Sequence, residues 1–159
     1  MQSRDNLNPP PTDSTRSPQP ARPTGINPEL ILPLRLFLGG MFLYAGIQKL
    51  TAANFFNKDG SGSIGEQLHG YVADGSPLSF LIRHIALPNA VLIGVLVALA
   101  ELWIGLSTLT GLLPRIGAAG GAAMSLLFFL TASWSIRPVF LGPDLPYMAA
   151  WITLYLTGP

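Results

Sequence analysis

The sequence predicts an all-α membrane protein, a polytopic four-helix transmembrane bundle. Three observations carry this. First, 49% of the 159 residues are apolar and only 11% are charged, against roughly 25% charge in soluble domains. Second, the charge is uneven: residues 1–28 hold Arg4, Asp5, Asp13, Arg16 and Arg22, leaving twelve charges for the other 131 residues. Third, the rest of the chain carries four apolar stretches, each near the ~20 residues that cross a bilayer. Such a surface needs lipid to cover it. The net charge of +1 excludes a strongly basic nucleic-acid binder. The absence of cysteine excludes disulfides, Cys-ligated zinc and iron–sulfur clusters.

Residues 1–28 read as a disordered Pro-rich tail, because their Pro, Ser, Thr, Asn and Arg composition buries too little to offset ordering. They do not read as a secretory signal. Residues 29–158 form the expected membrane domain, with spans at about 29–50, 89–113, 116–136 and 138–158. Pro33 falls in the first turns, where its missing N–H matters little. The connection 51–88 contains the turn-rich 57–63 segment, a short amphipathic stretch at Ile64–Val72, and helical apolar spacing over Ser79–Leu87, consistent with an interfacial element. Residues 57–64 look like the opening of an EF-hand loop. Leu68 stands where the bidentate glutamate belongs, so the segment reads as a turn. The turn at Leu112–Arg115 is too short for anything but antiparallel neighbours. Arg16, Arg22 and Arg115 near membrane ends favour both termini in the cytoplasm.

Polar residues inside the spans are the candidate functional groups, since each charge there costs about 2.5–3.5 kcal/mol. Arg35, Gly39, Phe42, Gly46 and Lys49 share one face of the first span. Gly94, Ala98, Glu101, Gly105 and Thr108 share one face of the second. Small residues let such stripes approach closely in lipid, so the two are expected to face each other or a shared interior. Arg35 is about 9 Å deep and Glu101 near the midplane, an offset of roughly 9–10 Å that extended side chains bridge. The expected pair is therefore Arg35–Glu101, with Lys49 the poorer partner. It is either a register-fixing ion pair or a substrate, proton or quinone site. Gly117 and Gly121 give the third span a GxxxG packing face. The last span aligns Asp144, Met148, Trp151 and Tyr155, with Asp144 also a helix-start cap and Trp151 also core filling. His69 and His84, both in the connection, read as surface histidines; the alternative is that they hold a metal or hydrogen-bond a quinone carbonyl. No phosphate loop, G-x-S-x-G or H-E-x-x-H occurs, and no metal site is expected.

Three local patterns coincide. One runs from Arg35 to Lys49-Leu50 through Gly39, Phe42 and Ala45-Gly46. The second is Ala100-Glu101-Leu102-Trp103-Ile104-Gly105, leading through Leu109-Thr110-Gly111-Leu112 to Arg115. The third is Gly142-Pro143-Asp144 followed by Ala150-Trp151. Together, over about residues 29–158, they resemble the DoxX family of small four-helix membrane proteins. Within it they are most similar to DoxD, the small subunit of thiosulfate:quinone oxidoreductase. The resemblance implies a membrane subunit of a quinone-linked oxidoreductase complex in the plasma membrane, with a second redox subunit as partner. Glu101 and Arg35 are the candidate catalytic groups. Lys49, Asp144, Trp151 and His84 are candidates for binding a quinone. The alternative is a non-enzymatic membrane scaffold or small-solute carrier, and a homo-oligomer is compatible with either.

Overall fold

The computed structural model describes residues 28–157, whose regular elements are all helices, with no strand among them. The tail expectation for residues 1–27 lies outside the described residues. Helix α1 spans Pro28–Thr51 and α2 spans Ile64–Ala73. Helix α3 is a single turn, Ser79–Leu81, that widens into a π-helical turn at Ile82–Ala86. Helices α4 and α5 span Ala90–Thr110 and Pro114–Thr131. A 3-10 turn at Val139–Leu141 precedes α6, Asp144–Thr157.

Three helices, Ile31–Thr51 in α1, Ala90–Thr110 and Pro114–Thr131, are long and apolar enough to cross a membrane. Their outward faces carry Leu36, Phe37, Tyr44, Leu92, Leu96, Leu99, Trp103, Leu106 and Leu126, all exposed, while Glu101, Ser107, Thr108 and Ser125 are buried. That inversion of the soluble pattern, with leucines outside and polar side chains inside, marks a multi-pass membrane protein in contact with lipid. The apolar stretch at 138–158 is interrupted by Gly142-Pro143. The helix within it has 14 residues, about 21 Å of rise against a hydrocarbon core of about 30 Å. Proline disfavours helix at the residue before it, so α6 starts only at Asp144.

Helix ends follow local chemistry. Gly111, at φ 74°, ends α4 in the left-handed region that glycine enters without a Cβ penalty. Pro114 opens α5, where a missing N–H costs nothing. Ser63 caps α2 by accepting the Glu66 N–H at 3.1 Å, while the Glu66 carboxylate accepts the Gly62 N–H at 2.6 Å. This is a variant of the capping box.

Helix α1 packs along α4, α5 lies between α4 and α6, and α6 returns to α1. The α1–α4 seam is the close one. A Cβ on Gly105 would stand 2.6 Å from the Leu43 nitrogen and 2.8 Å from the Gly39 carbonyl. A Cβ on Gly46 would stand 3.0 Å from the Ala98 carbonyl. The two stripes of small residues face each other. Gly117 packs on Ser107 and Thr108 of α4, and Gly121 on Trp151 of α6. Leu38, Phe42, Ile104, Ala118, Trp151 and Leu154 belong to the core between these helices. A second cluster, Phe55, Ile64, Leu68, Ile82 and Ala90, holds α2 and α3 as a cap over the end where α1 finishes and α4 begins. Ser76 ties that cap to α5 by donating to the Leu130 carbonyl at 2.7 Å.

Candidate functional site

The seam sets which charges meet. With Gly105 against residues 39–43 and Gly46 against Ala98, Glu101 falls opposite residues 43–45. It is then about 6–9 Å along the axis from Lys49 and about 12–15 Å from Arg35. The structure accordingly pairs Glu101 with Lys49: the ammonium donates to Glu101 Oε1 at 2.8 Å. This corrects the expected Arg35–Glu101 pair. Arg35 lies level with the end of α4, and its Nε and Nη2 both donate to the Thr108 carbonyl, at 3.3 and 3.0 Å. That carbonyl belongs to the last turn of α4, where carbonyls lack helical partners and cations are favoured. Arg35 thus closes a helix end.

The Glu101 side chain is 2% exposed and that of Lys49 22%. Lys49 also sits 5.8 Å from the centroid of the Phe128 ring, within cation–π range. Glu101 Oε2 is buried without a hydrogen-bond partner among the described residues. Glu101 lines a small cavity of about 110 Å³ together with Ser125, Phe128, Asp144 and Tyr147. Asp144, at the start of α6, accepts from Ser133 Oγ at 2.5 Å.

Lys49 and Asp144 also line a larger cleft of about 580 Å³ between the cap and the ends of α1, α4 and α5. Its walls are apolar: Phe55, Ile64, Leu68, Leu81, Ile85, Val97, Leu127 and Phe128 are among them. Gln67 and Tyr71, one turn apart on α2, join Lys49, Asp144, Thr131 and Ser133 as its polar groups. Tyr71 OH donates to Gln67 Oε1 at 3.3 Å. Burial raises the Tyr71 phenol above its ordinary pKa, and the nearby Asp144 carboxylate raises it further, so it stays a neutral donor. A mostly apolar cleft with a few convergent polar groups is the usual build of a small-molecule site.

Of the residues singled out from sequence, Lys49, Glu101 and Asp144 are gathered around these two cavities. Arg35, Trp151 and His84 line neither. Trp151 is fully buried, edge-on to Phe42 at 5.0 Å between ring centroids. His84 is exposed on the cap, with Nδ1 2.8 Å from the Phe80 carbonyl and its ring 4.3 Å from that of Phe80. Gln67, Tyr71 and Ser133 were missed. The i, i+4 spacing of Gln67 and Tyr71 on an amphipathic stretch was the available signal; Ser133 gave none.

The fold and the two cavities define a multi-pass helical membrane protein with a buried ion pair beside an apolar cleft. A family model described as "TQO small subunit DoxD" matches residues 30–137, and the chain belongs to the DoxD family. No curated protein and no solved structure matches it at a significant level.

Proposed function

We propose that this chain is the membrane subunit of a quinone-linked oxidoreductase complex, and that the cleft beneath the cap receives the quinone. One observation carries the reading: an apolar cleft large enough for a ring and the start of an isoprenoid tail has Lys49, Tyr71, Gln67 and Asp144 in its lining. Lys49 and Gln67 bring the N–H donors that ring carbonyls accept, and Tyr71, whose hydroxyl donates to Gln67 Oε1, orients the Gln67 amide. Glu101, with one oxygen on Lys49 and the other unpartnered, holds a proton-accepting position behind them. A quinone supplies the two-electron, two-proton chemistry, and a second subunit supplies or removes the electrons. This chain's residues bind the ring, exclude water and hold protons at Glu101 and Asp144. In this reading α6 and the preceding 3-10 turn complete a fourth crossing and so a four-helix bundle. The chain sits in the plasma membrane with both termini cytoplasmic and the cap outside.

Decylubiquinone binding to the full chain in nanodiscs tests this. Ala132 and Gln67, both in the cleft lining and outside the buried ion pair, are the positions to change. Ala132→Phe and Gln67→Leu are each expected to weaken binding about tenfold or more, the loss of about 1.4 kcal/mol, with the helical fold retained. Absence of saturable binding to the unmodified chain, or unchanged affinity in both variants, refutes the assignment.

A further inference from the structure

A second depression, on the opposite side of α3 from the cleft, is built differently. Leu81, Ile82 and Ile85 face the cleft, whereas Arg83 faces a hollow of about 240 Å³ that it shares with Lys58, Asp59 and His69. Leu87 and Pro88 form its apolar wall and lead directly into α4, a membrane span. Lys58 is held there by the backbone: a Cβ on Gly65 would stand 1.7 Å from the Lys58 carbonyl oxygen, so only glycine in the first turn of α2 admits this approach. Lys58 and Arg83 make no ion pair within 4.0 Å among the described residues; the pair found is Lys49–Glu101. The hollow therefore carries two cations against one carboxylate, with an imidazole beside them. On the same cap Phe80 is 75% exposed, and Leu81 and Ile85 are exposed too, as suits an element lying in the lipid interface.

We propose that this hollow binds the phosphate of an anionic phospholipid. The guanidinium of Arg83 and the ammonium of Lys58 are the groups that pair with phosphate oxygens. The neighbouring apolar wall and the exposed cap residues place the hollow where a headgroup lies rather than in open solvent. Bound lipid pins the cap, through Arg83 and Lys58, to the membrane surface beside the cleft.

Native mass spectrometry of the full chain in detergent, titrated with phosphatidylglycerol or with phosphatidylcholine, reads this directly. The unmodified chain is expected to retain phosphatidylglycerol about fivefold better, the effect of one net positive charge at a membrane surface. Lys58→Gln combined with Arg83→Gln is expected to bring the two lipids to parity. Both side chains are exposed, so the melting temperature in phosphatidylcholine is expected to be unchanged. Arg137→Gln, a cation beyond the hollow near the same end of α5, is expected to keep the preference. Equal retention of both lipids by the unmodified chain overturns the proposal. So does a preference that survives the double substitution. Stabilisation by inorganic phosphate without any lipid preference also overturns it, and marks a free-anion site.

Discussion

Glu101 and Lys49 are the residues on which the interior turns. Removing Lys49 leaves a carboxylate that is almost fully buried without a partner, a change that costs about 3–5 kcal/mol for buried pairs. Lys49→Ala and Glu101→Ala are each expected to lower folded yield, and the double variant to recover part of it. A coupling of about 0.5–3 kcal/mol in that double-mutant cycle is the check. Arg35→Ala is expected to lose about 1–2 kcal/mol through its bonds to the Thr108 carbonyl. Its loss should add to that of Glu101→Ala without coupling. Coupling between Arg35 and Glu101 would show that the register is wrong. Glu101→Gln keeps a hydrogen-bonding group and is expected to fold. It is expected to lose quinone-linked turnover in the assembled complex, and full turnover would remove Glu101 from proton transfer. The presence of polar residues inside the spans was legible from sequence, because each breaks an apolar run. Their pairing was not. It depends on an axial register fixed by Gly105 against Leu43 and Gly46 against Ala98, and a shift of about one turn exchanges Lys49 for Arg35.

At the scale of elements, the small residues on α1 and α4 were readable as matching stripes, and the structure seats them face to face. Neighbouring glycines of α1 and α4 are not equivalent, however. A methyl on Gly105 meets backbone atoms at 2.6 and 2.8 Å, whereas Gly40 has nothing within 4 Å. Gly105→Ala is therefore expected to destabilise by about 1–3 kcal/mol through overpacking. Gly40→Ala is expected to be neutral or to stabilise by up to about 1 kcal/mol through helix propensity. Thermal or denaturant melting of the two variants separates a packed seam from a lipid-facing turn. The cap was legible only in outline. Its apolar spacing announced helices near Ile64 and Ser79, and both form. The cleft beneath it draws on α1, α2, α3, α4 and α5 and on the start of α6. No single stretch of sequence carries that convergence. The irregular start of the last apolar stretch was legible in Gly142-Pro143, and there the backbone runs as a 3-10 turn, Val139–Leu141, before α6 begins at Asp144.

As a whole, the molecule is a helical membrane protein with a lipid-facing exterior, a buried ion pair and an apolar cleft under the cap. The class was legible because charge depletion and long apolar runs survive any detail of packing. The lipid-facing belt gives its own prediction. Leu99 is exposed on the outer face of α4, and Leu99→Arg is expected to cost about 2.5–3.5 kcal/mol of insertion free energy. A glycosylation-based insertion assay reads that cost; insertion equal to the unmodified chain would deny the outer face to lipid. The central claim, a quinone seated in the cleft, is met most directly by photolabelling the chain in nanodiscs with an azidoquinone and mapping the modified peptides. The account predicts labels on α2 and on the α5 end around Leu127–Ser133, suppressed by excess unlabelled quinone. Labels spread along Leu92, Leu96, Leu99 and the other lipid-facing residues, unaffected by competitor, would contradict it.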